Sequence, residues 1–328
     1  MSDNNVLAAT PGGFTAQTRQ VPEPGPTDLL VQVLGSGLNP IDLKLAEGVS
    51  QPTVLGFDAV GQVVAIGPAV TDFAPGERVF YAGTTKRPGS FADYQLVQAA
   101  LAAKAPASLP LADLAALPLV GLTAWELLFE KMGFTPQPGA NAGQRLVVVN
   151  GAGGVGSLLT QLAAWSGLEV WATASPANWD WLAAHGVAQP LDYHRPLTQT
   201  LAANSAAGVA ILYAPEPYLA QAAALVAPFG HVATLVTPRQ PLDVTALKAK
   251  AASLDFEYMF AKSDFNHQVA SQGAILRRLA ALAAAGTIQA SVTTHYADRS
   301  LDNLKAGLQK LAAGHVTGKI VLTGKVHL

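Results

Sequence analysis

The chain of 328 residues contains no cysteine. That absence excludes disulfides, thiolate nucleophiles, iron–sulfur clusters and every zinc site built on cysteine. Charge is scarce as well: 13% of the residues are Asp, Glu, Lys or Arg, against about 25% in an ordinary soluble domain. With a net charge of −2 there is no overall basic field to hold nucleic acid or an anionic membrane. Long apolar runs are missing too, so no stretch of about 18 residues offers a bilayer span. The opening Met1-Ser2-Asp3-Asn4-Asn5 lacks the basic and apolar regions of a signal peptide. The expectation is a cytoplasmic protein. The seven histidines are scattered, with no two at the spacing that puts metal ligands on one helix face. No metal is expected.

What is present is apolar and small. Half of the residues are hydrophobic and 60 of the 328 are alanine, which predicts a large core of small side chains and excludes intrinsic disorder. The length suggests about two domains. Residues 1–120 read as short strands: Leu29–Leu34, Ala59–Ile66, Arg78–Tyr81 and Ala92–Val97 are bounded by Gly and Pro turns, as in a small barrel-like domain. The character changes near Pro118. Residues 122–132 carry apolar positions at helical spacing. Residues 145–150 then form an apolar strand, followed by a glycine loop and a helix to about Trp165. Strands at Glu169–Ala174, Val209–Tyr213 and His231–Val236 alternate with helices. That alternation predicts an α/β domain with a doubly wound parallel sheet over 121–265. A long helix over 266–286, a helix over Leu301–Ala313 and a strand at Gly318–Leu322 close the chain. This tail, 266–328, is expected to return to the first domain.

Residues 151–156, Gly-Ala-Gly-Gly-Val-Gly, fit G-x-G-x-x-G between a strand and a helix. The first glycine permits the tight turn, the second admits a pyrophosphate to the backbone, and the third lets helix and strand pack closely. Free N–H groups and the positive helix end then face the phosphates. Asn150, Gly151, Ala152, Gly153, Gly154, Val155 and Gly156 are therefore the expected dinucleotide cradle. An NAD enzyme usually places an acid at the end of the next strand for the ribose hydroxyl. Here that end reads Thr173-Ala174-Ser175-Pro176-Ala177-Asn178. An acid-free pocket leaves room for a 2′-phosphate, which favours NADPH. Ser175 and Asn178 are its expected donors, and Tyr193 or Arg195 would close over it. Ser175 also reads as a plain helix cap and Arg195 as a solvated surface charge.

Five ordered stretches carry a resemblance: Asn39–Asp42, Leu55–Gly61, Ala116–Trp125, the glycine loop and Gly318–Leu322. With them the chain resembles the medium-chain dehydrogenase/reductases, specifically the zinc-independent quinone oxidoreductase group. Arg87–Ser90, Trp125–Phe129 and Glu257–Phe260 are similar to the branch known as zinc-type alcohol dehydrogenase-like. The resemblance implies a GroES-like catalytic domain and a Rossmann domain with the cofactor in the cleft between them. Zinc-dependent members carry Cys where this chain has Asn39, and Gly-His-Glu where it has Gly56-Phe57-Asp58. It therefore implies chemistry without zinc, namely reduction of a quinone or an α,β-unsaturated carbonyl.

The same resemblance places Asn39, Thr123 and Lys319 beside the nicotinamide half, and Lys44 near the substrate oxygen as a polarising group or proton donor. Each has a bland reading beside it. Asn before Pro starts turns, Thr caps helices, and either lysine reads as a surface charge. Asp58 is expected only to orient backbone. Phe57, Tyr81, Met259 and Phe260 are the expected substrate-pocket residues, with Phe265 nearby, although an isolated aromatic is more often core. Ser253–Tyr258 reads as an edge strand and a homodimer contact, since exposed edges invite pairing. A different class remains open: a non-catalytic NADPH-binding redox sensor or structural protein, which would share the glycine loop and lack turnover.

Overall fold

The computed structural model describes residues 3–327. Met1 and Ser2, which open the stretch expected to lack a signal peptide, lie outside the described residues. The chain opens with a hairpin of β1 (Asp3–Thr10) and β2 (Gly13–Gln20), then β3 (Asp28–Leu38) and α1 (Pro40–Ala46). There follow β4 (Thr53–Val54), β5 (Ala59–Ile66), β6 (Arg78–Tyr81), β7 (Tyr94–Gln98) and β8 (Ala102–Lys104). Helices α2 (Leu111–Ala116) and α3 (Pro118–Trp125) lead into a π-helical turn over Glu126–Lys131. Strand and helix then alternate: β9 (Arg145–Val149), α4 (Gly154–Trp165), β10 (Glu169–Ala174), α5 (Trp179–Ala184), β11 (Gln189–Asp192) and β12 (Ala206–Ile211). The alternation goes on through α6 (Leu219–Leu225), β13 (Val226–Thr234), α7 (Thr245–Lys248) and β14 (Ser253–Phe256). The last stretch is α8 (Ala261–Asp264), α9 (Ala270–Ala284), β15 (Val292–Tyr296), β16 (Arg299–Ser300), α10 (Leu301–Ala312), β17 (Lys319–Thr323) and β18 (Val326–His327).

Two compact units result. One runs to Leu122 and resumes at Phe260; the other is Thr123–Met259. The divisions expected from the sequence, 120/121 and 265/266, fall two and six residues from these bounds. In the first unit β15, β17, β3, β5, β6 and β8 form one sheet in that order, with β7 also paired to β3, and β2, β1 and β4 form a second. The tail belongs here because β17 pairs antiparallel with β3, Ile320 opposite Leu38. In the second unit six parallel strands run in the order β11, β10, β9, β12, β13, β14. Its core is the apolar run expected of strands covered on both faces, with Val147, Val149, Val209, Ile211 and Val232 enclosed.

Local expectations changed in three places. The helix expected over 122–132 starts at Pro118, since proline is tolerated in a first helical turn, and from Glu126 it widens into the π-helical turn. Asn39-Pro40, legible as a turn, is instead the start of α1. Asn39 is extended (φ −138°), Pro40 opens the helix, and Asp42 Oδ2 accepts the Asn39 N–H at 2.7 Å. The helix expected over 266–286 begins only at Ala270, after Asn266 and Gln268 take left-handed φ values of 51° and 50°. Among the described residues no helix is long and apolar enough to cross a membrane.

Candidate functional site

In the second unit the glycine loop joins β9 to α4. Asn150 takes φ 69°, which asparagine tolerates better than most residues. Its N–H donates to Thr173 Oγ1 (2.8 Å) and that of Gly151 to Thr173 O (2.9 Å), so the loop is tied to β10. A Cβ on Gly151 would lie 2.7 Å from Ala172 Cβ, and one on Gly156 only 2.3 Å from Asn150 O. Gly151 thus admits β10, and Gly156 admits the loop to the first turn of α4. Gly153 caps that helix with an extended backbone, and Gly154, Val155 and Gly156 form its first turn, whose N–H groups have no intrahelical acceptor. Ala152 is buried, and its carbonyl accepts from Ser157 Oγ (3.2 Å), which in turn accepts from Trp181 Nε1 (2.9 Å). Ser157 and Trp181, neither foreseen, lock α5 to the loop. This cradle of close-packed glycines at a helix N-terminus fits a pyrophosphate, so the residues present fit a dinucleotide.

The residues expected at the adenosine end come together because β10 and β11 pair in parallel, Ala174 opposite Asp192. Ser175 and Asn178 follow one strand and Tyr193 and Arg195 the other. Asn178 Nδ2 donates to Ser175 Oγ at 3.3 Å. Ser175 starts a short 3₁₀ turn with no side-chain cap bond, which leaves its hydroxyl outside the plain capping role. Tyr193 is exposed and its ring lies 4.0 Å from that of His194. Asp192 is a carboxylate close to this group, but its Oδ1 is engaged by His194 through Nδ1 (2.7 Å) and N–H (3.0 Å).

In the first unit β3 ends at the edge of the sheet where its antiparallel neighbours β5 and β17 begin, which gathers Asn39, Asp58 and Lys319. All three are buried. The Lys319 ammonium donates to Leu38 O (3.0 Å), Asn39 Oδ1 (2.5 Å) and Asp58 Oδ2 (2.8 Å). An ammonium has three donors, and all are used. The Asn39 amide donates to Asp58 Oδ2 (2.9 Å) and Gly37 O (3.5 Å), which uses both of its N–H groups. Every donor of both side chains is thus engaged within the cluster. Asp58, expected only to orient backbone, is the hub, for its Oδ1 also accepts the Leu119 N–H (2.6 Å) at the start of α3. Gly37 makes room for it, since a Cβ there would lie 2.8 Å from Asp58 Oδ2 and 2.5 Å from Ala115 O. Asp42 sits alongside, wholly buried, with Oδ1 unpartnered, and burial pushes its carboxyl up to about 7. The signal in the sequence was an acid in an apolar glycine-flanked run and a lysine opening an apolar strand. Each charge needed a buried partner.

Lys44 is exposed on α1, and the neighbouring Asp42 is turned inward to Asn39. Thr123 is buried in α3 and belongs to the second unit, as does the buried Met259. Phe57 and Phe260, both in the first unit, meet edge to face with centroids 4.9 Å apart. Tyr81, also expected in the substrate pocket, lies on β6. It is wholly buried, its hydroxyl donates to Gln95 Oε1 (2.9 Å), and burial raises its pKa well above the usual phenol value. Phe57, Met259 and Phe260 are buried to a similar degree. Phe265 is exposed.

The second unit also buries an acid pair that no motif in the sequence marks. Glu126, at the start of the π-helical turn, and Glu257, just after β14, are both buried. Burial and the neighbouring Glu126 carboxyl, hydrogen-bonded to it, push the Glu257 carboxyl far above the usual range; Lys131 opposes this and Glu130 adds to it. A carboxyl raised on folding takes up a proton, so its contribution to stability falls as pH rises from about 5 through neutrality. Glu257→Gln should therefore flatten the pH dependence of unfolding free energy by up to about 1.4 kcal/mol per pH unit. Urea denaturation at acidic, neutral and mildly alkaline pH measures this, and an unchanged slope would refute it.

The comparisons agree with this architecture. An alcohol dehydrogenase GroES-like domain matches residues 25–107 and a zinc-binding dehydrogenase domain matches residues 185–322. The chain is 35% identical over 316 residues to a zinc-type alcohol dehydrogenase-like protein of Staphylococcus aureus, covering 94% of each chain. It is 31% identical over 192 residues to a chloroplastic quinone-oxidoreductase homolog of Spinacia oleracea, covering 56% of this chain and 58% of that one. An alcohol dehydrogenase superfamily protein from Novosphingobium aromaticivorans superposes with a TM-score of 0.88 at 27% identity, over 98% of this chain and 100% of that one. The zinc in some of these names does not suit the residues here. Zinc takes thiolate, imidazole and carboxylate ligands, whereas Asn39, Phe57 and Asp58 offer an amide, a phenyl ring and a carboxylate that already holds an ammonium. With that difference, the chain belongs to the medium-chain dehydrogenase/reductase superfamily, in its zinc-type alcohol dehydrogenase-like branch.

Proposed function

We propose that this protein is an NADPH-dependent reductase of quinones or α,β-unsaturated carbonyls. The observation that carries the reading is the glycine cradle at the start of α4 beside an acid-free end of β10. Gly151, Gly153 and Gly156 with the first-turn amides would hold the pyrophosphate. Ser175, Asn178, Tyr193 and Arg195 would take the 2′-phosphate, and Thr123 would meet the nicotinamide half. When bound, the cofactor supplies a hydride.

An enone that accepts hydride at its β-carbon becomes an enolate, and a quinone becomes a phenolate. Either needs one proton to finish and no strong Lewis acid, because the charge is delocalised. Lys44, exposed on α1, is the proposed donor of that proton or of a hydrogen bond to the oxygen. The Phe57–Phe260 pair would supply an apolar wall for a flat ring. The relative named as a quinone-oxidoreductase homolog supports the substrate class. The contact with a second copy is proposed along β14, an edge strand of its sheet, where Phe256 and, just beyond the strand, Tyr258 are exposed; a single-chain mass by light scattering would remove it.

The test is cofactor consumption by the purified protein with a small quinone and an enone in parallel, each with NADPH and with NADH. Turnover is expected with at least one acceptor and faster with NADPH. Tight NADPH binding with no turnover on any quinone or enone would favour the non-catalytic sensor instead.

A further inference from the structure

Where β3 ends, three ionisable groups are enclosed together: Asp42, Asp58 and Lys319, none more than 4% exposed. The ammonium is the centre of this group. Three oxygens from separate segments lie 2.5–3.0 Å from Nζ: the Leu38 carbonyl, the Asn39 amide oxygen and the Asp58 carboxylate. That is the surrounding a small hard cation seeks, all oxygen and partly anionic.

The oxygens are also held independently of the lysine. Asp58 Oδ1 is fixed by the Leu119 N–H and Oδ2 by the Asn39 amide. The Asn39 backbone is fixed by Asp42 Oδ2, whose second oxygen is buried and unpartnered. Cutting back the lysine therefore leaves a preorganised oxygen cluster and two enclosed carboxyl groups with no counter-charge.

We propose that the Lys319 ammonium is the built-in cation of an oxygen-lined site in the first unit, and that without it the site takes a small monovalent cation from solution. Lys319 is then a positioning residue. It holds Asn39 and, through Asp58, the start of α3.

Thermal melting tests this without cofactor or substrate, so its outcome is independent of the reductase reading. Lys319→Ala opens the space of the side chain, and Lys319→Met fills it with an apolar stem. In tetramethylammonium chloride both variants should melt about 10 °C below the parent, because one partner of a buried pair is gone. Replacing that salt with ammonium or potassium chloride at matched ionic strength should restore at least about half of the loss in Lys319→Ala, by binding to the folded state. The parent and Lys319→Met should show no such preference among the three salts. The double variant Asp58→Asn with Lys319→Met, which removes both charges, should melt well above Lys319→Met alone. It also serves if Lys319→Ala does not fold. A Lys319→Ala protein that melts like the parent or ignores the identity of the cation overturns the proposal. So does a double variant no more stable than Lys319→Met.

Discussion

Arg299→Met is expected to lower the melting temperature by about 10 °C, a loss of roughly 4 kcal/mol. Arg299, on β16, is 2% exposed yet carries a full guanidinium. Burial lowers its pKa to about 10, opposed by Asp93 and Tyr81, so it stays charged at neutral pH. Nε donates to Gly324 O (2.7 Å), Nη1 to Ser90 O (3.2 Å) and Ala92 O (2.7 Å), and Nη2 to Val33 O (2.6 Å) and Asp93 Oδ1 (3.4 Å). One planar fork thus ties β3, the 90–93 segment and the turn after β17. Methionine has similar length and no donors, so it leaves several buried carbonyls without this partner, at about 1–3 kcal/mol each before relaxation. Arg299→Lys should recover only part, since one ammonium has three donors and lacks the fork. Calorimetry decides it: a shift under about 3 °C for Arg299→Met would show the cage to be dispensable.

If the protein binds NADPH as proposed, Gly156→Ala should weaken that binding at least about 100-fold, or roughly 2.8 kcal/mol. A Cβ there would stand 2.3 Å from Asn150 O and 2.7 Å from the carbonyl carbon and oxygen of Gly151. These are backbone atoms, so no side-chain rotation relieves the clash and α4 must move off the loop. The first-turn amides then leave the pyrophosphate, losing both their hydrogen bonds and the favourable helix end. Gly12→Ala is the matched control, in the β1–β2 turn with open space around it and an ordinary backbone, and should bind as the parent does. Titration calorimetry gives both constants. Equal binding by Gly156→Ala and the parent would mean that the cofactor is held elsewhere.

Much of this protein was legible without coordinates. The apolar run 145–149, the glycine loop, the helix ending at Trp165 and the strand Glu169–Ala174 were readable because each expresses a local rule. A parallel strand buried on both faces is continuously apolar, and a phosphate-binding turn needs glycine at set intervals. The strands Ala59–Ile66 and Arg78–Tyr81 were readable for the same reason, through β-branched residues between turn signals. Family membership could be read as well, since its motifs are short, ordered stretches.

The interior charges were not legible, because their partners are distant in the chain. Lys319 meets Asp58 across 261 positions, and Arg299 reaches Val33 across 266. Seen alone, each is a polar residue beside a strand, for which a solvated surface charge is the ordinary explanation. Only the pairing of β17 with β3, and of β3 with β5, encloses Lys319 with Asp58 and uses every donor of the ammonium. The same holds for Glu126 and Glu257, which belong to separate motifs and share an environment only once the second unit has closed. The residue order by itself determined the strands, the phosphate turn and the family. The tertiary structure decided which charges are buried and therefore which of them remain available to a ligand, because a desolvated charge is constrained by whatever the fold packs against it.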